Sequence, residues 1–333
     1  MVHMKRSAEP AENSSPLFMN KPFRVIQLNV KKQGTIHDSL MNDEELQDAA
    51  VIMIQEPQAR NIRGRLLTTP MTHHKWTKMT PSTWSEGRWA IRSMLWVNKD
   101  LEAEQLPTGS PDLTAAIFQA EHRRVLVVSV YVAGQDVEAL RNTCATLRTL
   151  IIDSRRRAGQ PVEVLIAGDF NRHDQLWGGD DVSLVRQGEA DQIIDLMGEF
   201  SLSSLLPRGT KTWQDANHET TIDLVLASEG LAEAVLRCAT HGTDHGSDHR
   251  TIDTIFDMAV PDIPYHPRLL FKNAPWKEVN EKIRLSLEVT PMVGKVQQDT
   301  DRLMTVVLEA LHVLTPTSRP SPYAKRSWIP RCN

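Results

Sequence analysis

Short apolar runs that each end in a polar residue constrain the fold of this chain more than any other feature. From Phe23 to Met258, runs rich in β-branched residues alternate with segments of helical periodicity. The predicted strands are residues 23–30, 51–57, 90–97, 113–121, 123–132, 162–170, 220–228 and 251–258. The predicted helices are residues 43–49, 136–158 and 188–200. Residues 60–88, rich in Arg, His, Lys and Trp, have the pattern of loops. Successive strands with helices between them favour stacked sheets flanked by helices over a parallel doubly wound sheet.

Composition limits the classes of protein to which the chain can belong. It has 333 residues, 40% of them apolar and 24% charged, which is enough for a sizeable core. The formal net charge of −4 gives no general attraction for nucleic acid, so such a partner would need local basic patches. Three scattered cysteines without a CxxC spacing indicate a reduced, intracellular setting. No apolar run approaches the roughly 20 residues that span a bilayer, so no membrane partner is expected.

Shifts in composition predict three regions. Residues 1–21 are polar and aperiodic, as in a disordered tail. Residues 22–258 hold the alternating strands and helices. Residues 259–333 begin with a proline-rich linker, continue with two amphipathic helical segments at 276–289 and 300–314, and end in a Pro-rich basic tail.

The segment VEVLIAGDFN, residues 162–171, places a carboxylate and a carboxamide at the end of a buried strand. Desolvation of such groups is costly, so they either cap a turn or hold something charged. Polar residues also end other apolar runs: Asn29, Glu56, Tyr131, Asp169 with Asn171, Asp223, and Asp248 with His249. Each alone is commonly a turn or cap residue. Together they predict a site, because polar strand ends converge on one sheet edge in layered α/β proteins.

These side chains have the chemistry of a phosphate-ester hydrolase. Hard oxygen donors, which suit Mg²⁺ or Mn²⁺, come from Asn29, Glu56, Asp169 and Asp248. Asp223 is a candidate to orient His249 and to favour its charged form near a phosphate. A divalent cation, a held water and a cationic imidazole are the parts that hydrolysis of a phosphate ester needs.

Several short segments occur in a specific order. They are QLN (27–29), QEP (55–57), SVYV (129–132), AGDFN (167–171), TTIDLVLAS (220–228) and GSDH (246–249). This set resembles the motifs of the endonuclease/exonuclease/phosphatase (DNase I-like) superfamily, to which DNase I and the AP endonucleases belong, over roughly residues 22–258. HDQLWGG (173–179) and Thr212-Trp213 are similar to the endonuclease domain of fungal non-LTR (LINE-like) retrotransposons.

The resemblance implies a four-layer α/β/β/α sandwich with a mostly helical C-terminal extension. It implies a Mg²⁺-dependent endonuclease that nicks target DNA for retrotransposition, with Mn²⁺ as an alternative ion. The expected location is the nucleus, and the cytoplasm is the alternative. Residues 259–333 look like the stretch that leads to a reverse transcriptase. That region is expected to be absent from this chain, which has no YxDD-type polymerase motif. DNA is the expected partner, and no protein partner is predicted.

Carried over position by position, the resemblance implies a role for each strand-end residue. The implied metal ligands are Glu56, Asn29 and Asp248. The implied catalytic residues are Asp169 and Asn171 on the attacking water, His249 paired with Asp223 on the phosphoryl group, and Tyr131 on the phosphate. Lys31 is a departure, because some relatives carry an acid there. It removes one metal contact, puts a second metal site in doubt and adds positive charge towards DNA.

Nucleic-acid binding requires cationic or aromatic side chains beside the site, because phosphate contacts supply most non-specific affinity. The candidates for phosphate or DNA binding are Thr212, Lys31, Arg60, Arg63, Arg65, Arg172 and Trp177. An isolated basic loop residue is usually solvated surface, but three arginines clustered after the second motif favour a binding role. Trp89 is expected in the core.

Two alternatives to a DNA endonuclease follow from the same residues. One is a phosphatase or phosphodiesterase that acts on small esters such as inositol phosphates or lipids. The other is a non-catalytic remnant of a retroelement. In THGTDHGSDH (240–249), His241 and His245 suggest a zinc site, but the absence of a nearby cysteine favours loop residues.

Overall fold

The computed structural model describes residues 21–120, 123–159, 161–260, 269–289, 294 and 296–317. Its strands are β1 (Lys21–Asn29), β2 (Val51–Gln55), β3 (Gln58–Ile62), β4 (Arg65–Thr69), β5 (Trp76–Met79), β6 (Gly87–Arg88), β7 (Ser93–Asn98), β8 (Ala103–Leu106), β9 (Leu113–Ala120), β10 (Arg123–Tyr131), β11 (Val162–Asp169), β12 (Leu202–Ser204), β13 (Trp213–Gln214), β14 (Glu219–Thr220), β15 (Asp223–Ser228), β16 (Val235–Thr240) and β17 (Ile252–Val260).

The helices are α1 (Gly34–Met41), α2 (Val137–Ala158), α3 (Gln175–Gly178), α4 (Asp191–Phe200), α5 (Glu229–Glu233), α6 (Trp276–Glu288) and α7 (Val296–Leu314). Short 3₁₀ turns cover Glu44–Leu46, Leu184–Arg186 and Phe271–Asn273. The long helix α2 begins where Asp136 accepts a hydrogen bond from the Ala139 amide, and it ends at Gly159 in a left-handed conformation.

Two six-stranded mixed sheets dominate the larger unit, residues 1–263. One sheet has the order β16-β17-β1-β2-β7-β5, and the other has the order β12-β15-β11-β10-β9-β8. Each contains one parallel pair, β1 with β2 and β10 with β11. A smaller sheet of order β4-β3-β6 follows the end of β2.

The two large sheets pack face to face around an apolar core. Phe23, Met53 and Leu95 from one sheet share a buried cluster with Phe118 and Val127 from the other. On the outer face of the first sheet, α1 buries its apolar side. On the outer face of the second sheet, α2 and α4 do the same. The predicted four-layer α/β/β/α sandwich is therefore confirmed.

Two local predictions were wrong. The helix expected over residues 43–49 is only the 3₁₀ turn Glu44–Leu46, because Leu46 is the one large apolar side chain available to bury before the chain enters β2. The helix lies instead at Gly34–Met41, which starts without a side-chain cap and so lacks the usual sequence signal. The loops expected over residues 60–88 contain most of the β4-β3-β6 sheet and β5.

The second unit comprises residues 264–333. Within it, α6 and α7 contact each other, and Leu269 pairs with Thr317 in an isolated antiparallel bridge. The predicted disordered tail, except for Lys21, and most of the predicted basic tail lie outside the described residues. Among the residues that are described, no helix is both long and apolar enough to cross a membrane.

Candidate active site

Strand direction brings the predicted site residues to one edge of the sandwich. Asn29 ends β1 and Tyr131 ends β10, and each strand is parallel to a neighbour that ends at the same level. Asp169 ends β11 and pairs in register with Asp223, the first residue of antiparallel β15. His249 lies just before β17, which is antiparallel to β1. The structure thus brings together residues that are far apart in sequence.

Asp169 is buried in a network of donors. Its Oδ2 accepts a hydrogen bond from Asn29 Nδ2 at 3.0 Å, and its Oδ1 accepts one from the Asn171 amide at 3.0 Å. Burial raises the pKa of Asp169, and the negative charge of Asp223 adds to this effect, while His249 opposes it. The carboxyl group therefore holds a proton more tightly than an ordinary aspartate does.

A glycine permits this placement of Asp169. Gly168 has a φ of +152°, and a Cβ there would lie 1.9 Å from Val130 O on β10. Only a residue without a Cβ allows β10 and β11 to approach so closely at their ends.

Asp223 orients His249. His249 Nδ1 donates to Asp223 Oδ2 at 2.8 Å, and His249 Nε2 lies 3.9 Å from Asp169 Oδ2. Burial alone would lower the pKa of His249, but the charge of Asp223 and its hydrogen bond outweigh burial and raise the pKa. The imidazole is thus held in its charged form between two carboxylates.

Buried amides and a hydroxyl support Asp223 from within the sheets. Gln27 Nε2 donates to Asp223 Oδ1 at 3.0 Å and to Gln55 Oε1 at 2.6 Å. Gln55 Nε2 in turn donates to Ser129 Oγ at 2.9 Å. None of these three residues was predicted from the sequence as part of the site. Their signal was a polar side chain inside an otherwise apolar strand, which is rarely buried without a partner.

Both predicted metal-binding carboxylates form ion pairs with lysine side chains. Glu56 Oε1 lies 2.8 Å from Lys32 Nζ, and Asp248 Oδ2 lies 3.0 Å from Lys31 Nζ. Tyr131 hydrogen-bonds to Glu56, and its pKa is raised by burial and by the charge of Glu56.

The donor set fits a hard divalent cation by its chemistry. Glu56 and Asp248 offer carboxylate oxygens, and Asn29 offers an amide oxygen that now accepts a hydrogen bond from the Lys31 amide at 2.9 Å. In the described part of the chain, no three acidic, His or Cys side chains already stand as a ready-made metal site. The two lysine ammonium groups supply positive charge where the ion would act, so a cation would bind by displacing them.

Backbone strain is concentrated at the same edge. Lys31, Lys32, Glu56 and Asn171 all adopt left-handed conformations, with φ between 48° and 60°. Such conformations cost of order 1–3 kcal/mol for residues other than glycine and are typical of functional sites. Here they turn the chain sharply at the ends of β1, β2 and β11, which keeps these side chains at the edge.

For three of the residues predicted to bind phosphate or DNA, the structure contradicts the prediction, because their side chains are buried. Thr212 Oγ1 accepts hydrogen bonds from the Ile222 and Asp223 amides at 3.1 Å and so anchors β15. Arg172, only 4% exposed, donates to backbone carbonyls, including that of Asp136 at 2.6 Å. Trp177 is 1% exposed and packs in the core beneath α2 and α4.

Exposed basic and aromatic groups lie on the small sheet beside Glu56. Arg60, Arg63 and Arg65 are exposed, and none is ion-paired within the described residues. Trp89, expected in the core, is 43% exposed, and Lys32 Nζ lies 5.7 Å from the centroid of its ring. Because Lys32 also pairs with Glu56, this sheet borders the site.

Known proteins resemble the chain in both sequence and fold. The family described as Endonuclease-reverse transcriptase matches residues 125–253. The endonuclease domain of TRAS1, a telomere-specific non-LTR retrotransposon, is 17% identical with a TM-score of 0.56, over 71% of this chain and 98% of that one. The AP endonuclease LMAP from Leishmania major is 15% identical with a TM-score of 0.57, over 73% and 89%.

A third structure, the catalytic domain of Xenopus laevis APE2, is 16% identical with a TM-score of 0.54, over 73% of this chain and 94% of that one. At these identities the likeness concerns the fold. No curated protein matches the chain significantly in sequence.

Proposed function

We propose that this chain, a member of the DNase I-like endonuclease/exonuclease/phosphatase superfamily, is a Mg²⁺-dependent endonuclease that nicks DNA. The observation that carries the proposal is the contact chain Asp223–His249–Asp169–Asn29 at one edge of the sandwich. It combines a charged imidazole with a carboxylate of raised pKa, which are the acid–base and charge-stabilising groups that phosphodiester hydrolysis needs.

In the proposed reaction, Asp169 receives a proton from the attacking water. The water oxygen bonds to phosphorus while the bond from phosphorus to the leaving oxygen breaks. His249, held by Asp223, donates hydrogen bonds to the phosphoryl oxygens, on which negative charge grows. Asn171 holds Asp169 through its amide, and Tyr131 hydrogen-bonds to the phosphate.

Members of this family generally use divalent metal ions. Glu56, Asn29 and Asp248 would hold the ion, which would supply Lewis-acid stabilisation of the phosphate and the leaving oxygen. The proposal of Mg²⁺ rests on the oxygen-only donor set.

DNA is proposed as the substrate because exposed arginines without an ion-pair partner among the described residues border the site. Arg60, Arg63 and Arg65 follow Glu56 closely and are free to contact a phosphate backbone. The TRAS1 likeness supports target-DNA nicking by a retrotransposon as the biological setting. The nucleus remains the proposed location, as expected for that reaction.

The test is conversion of supercoiled plasmid to open circles by the purified full chain with Mg²⁺. We expect nicking by the wild type and a loss of about 10²–10⁴-fold in rate for Asp169→Asn and for His249→Gln. The matched control His218→Gln changes an exposed histidine that has no role in the proposed chemistry and should retain activity.

Two outcomes would overturn the proposal. Release of phosphate from inositol polyphosphates without plasmid nicking would identify a phosphatase of small esters. Absence of both activities in a folded wild-type protein would identify a non-catalytic remnant.

A further inference from the structure

A second group of ligating side chains lies outside the candidate active site. The loop between β16 and β17 carries His241 and His245, and both rings direct Nε2 towards Asp43, which follows α1. His241 Nε2 lies 3.5 Å from Asp43 Oδ2, and His245 Nε2 lies 3.6 Å from the same oxygen. Two imidazoles thus converge on a single carboxylate oxygen.

All three atoms are buried and lack hydrogen-bond partners among the described residues. The exposed fractions of the side chains are 6% for His241, 1% for His245 and 10% for Asp43. A buried polar atom without a partner costs about 1–3 kcal/mol. Two imidazole nitrogens that each lie within 3.6 Å of the same carboxylate oxygen, all three without a partner among the described residues, indicate that something binds between them.

Two of the remaining polar atoms of the group form hydrogen bonds that fix its orientation. Asp43 Oδ1 accepts a hydrogen bond from the Glu45 amide at 2.9 Å, which leaves Oδ2 free. His245 Nδ1 and Ser39 Oγ hydrogen-bond at 3.1 Å. A partner on the second ring nitrogen is the usual arrangement for a histidine that binds a metal through the first.

The distances favour a metal ion over direct hydrogen bonds. Separations of 3.5 and 3.6 Å exceed the usual N–H···O range of about 2.7–3.2 Å. They are close to the edge of about 3.3 Å that ligands at about 2.0–2.1 Å form around tetrahedral zinc. Glu45 Oε2, 3.7 Å from His241 Nε2 and exposed to solvent, is available as a fourth ligand.

We propose that Asp43, His241 and His245 form a zinc-binding site, with Glu45 or water as the fourth ligand. The two rings are nearly parallel, with centroids 6.4 Å apart, and no three ligands among the described residues yet surround one point. Binding would therefore tilt the rings towards the carboxylate. A cleft of about 290 Å³ lined by His241, His245 and His249 gives access to the group.

A bound zinc ion would tie the loop that carries Asp248 and His249 to the segment after α1. It would thereby fix the loop of the candidate active site without belonging to it. The site is independent of the proposed nuclease function, because none of its three ligands is among the residues proposed to act on phosphate.

The test measures zinc bound by the full chain in excess Mg²⁺, which occupies hard oxygen sites. After removal of zinc with a chelator and return of ZnCl₂, metal content is measured by mass spectrometry and affinity by competition with a chromogenic chelator. We expect one zinc per wild-type chain and a loss of affinity of more than about 100-fold in Asp43→Asn and His241→Gln. That loss exceeds the 10–100-fold effect typical of removing a supporting partner.

Matched variants separate this site from the other histidines and carboxylates. His218→Gln and Glu56→Gln should keep zinc. Ser39→Ala retains every ligand and should weaken affinity by about 10–100-fold, so it tests the proposal even if a ligand variant fails to fold. Wild-type protein that binds no zinc, or zinc binding that persists in both ligand variants, would overturn the proposal.

Discussion

Two consecutive lysines set the charge of the candidate active site. Lys31 pairs with Asp248 and Lys32 pairs with Glu56, so both predicted metal-binding carboxylates are neutralised by their own chain. Lys31 is half exposed, and ion pairs of this kind contribute only about 0.2–1 kcal/mol. A divalent cation can therefore displace the ammonium group at a small cost.

Substitution of Lys31 should lower the Mg²⁺ requirement of the proposed nuclease. In Lys31→Ala the Asp248 carboxylate no longer has to exchange a lysine for the metal ion. We expect the Mg²⁺ concentration for half-maximal plasmid nicking to fall by about 1.4-fold to fivefold, the equivalent of that ion-pair energy. Lys99→Ala, another exposed lysine, should leave the concentration unchanged. An unchanged or higher requirement in Lys31→Ala would show that the lysine does not compete with the ion.

For single residues, the sequence predicted which acids, amides and imidazole would lie close together, because each directly follows or precedes an apolar run. It did not predict Arg172 and Trp177 correctly, because exposure of a loop side chain depends on packing by distant elements. Arg172 is held by backbone carbonyls of the chain before α2, and Trp177 by the core beneath α2 and α4. Such contacts leave no local signal.

At the scale of elements, the β4-β3-β6 sheet places positive charge beside the site. β3 begins two residues after Glu56, and Arg60 pairs in register with Arg88 of β6. By contrast, Arg155, Arg156 and Arg157 lie in the last turn of α2, just before β11 starts. Since Asp169 ends β11, these arginines are at the opposite end of that strand from the site.

The two arginine groups form a matched pair for a DNA-binding experiment. We expect the triple variant Arg60→Ala, Arg63→Ala and Arg65→Ala to reduce the slope of log K against log salt by about 2–3, since each phosphate contact contributes about 0.9. Binding is measured in an Asp169→Asn background to prevent cleavage. The triple variant of Arg155, Arg156 and Arg157 should retain the wild-type slope. Equal slopes for both triple variants would remove the β4-β3-β6 sheet from the DNA-binding surface.

Strand prediction succeeded where apolar runs were continuous and failed where short strands were polar. β3 and β4 alternate exposed and buried residues, but Asn61 and Thr68 are buried while Ile62 and Leu67 are exposed, so the sequence lacks the apolar–polar alternation that predicts a hairpin. The helix predicted at residues 43–49 contained good helix formers but only one large apolar residue. Because tertiary burial stabilises most helices, propensity alone gave the wrong element.

At the scale of the whole molecule, stacked sheets flanked by helices were predictable because strands outnumber helices and several strands occur in succession, whereas the four-layer order was implied by the resemblance. The layers also contain polar contacts that no pattern shows. His37 of α1 is fully buried against the first sheet, where Trp96 Nε1 of β7 donates to its Nε2 at 2.8 Å. Burial lowers the pKa of His37 to about 3. Folding therefore requires this imidazole to be neutral.

Acidification should destabilise the protein through His37. The folded pKa lies below the unfolded value, so the unfolded state binds the extra proton, and stability present above about pH 6.5 is lost as pH falls towards 3. We expect His37 to contribute a loss of up to about 1.4 kcal/mol per pH unit in the free energy of unfolding. Denaturant unfolding at pH 7.5 and 5.5 should show a smaller loss in His37→Gln than in the wild type or in His218→Gln. Equal losses in all three proteins would contradict this assignment.

The contact between Gly168 and Val130 has a genetic consequence. Glycine alone lacks a Cβ, so every missense mutation in codon 168 would put a carbon atom within 1.9 Å of the Val130 carbonyl oxygen. No replacement at this position is conservative. The neighbouring Asp169 thus depends on a residue that contributes no side chain to the chemistry.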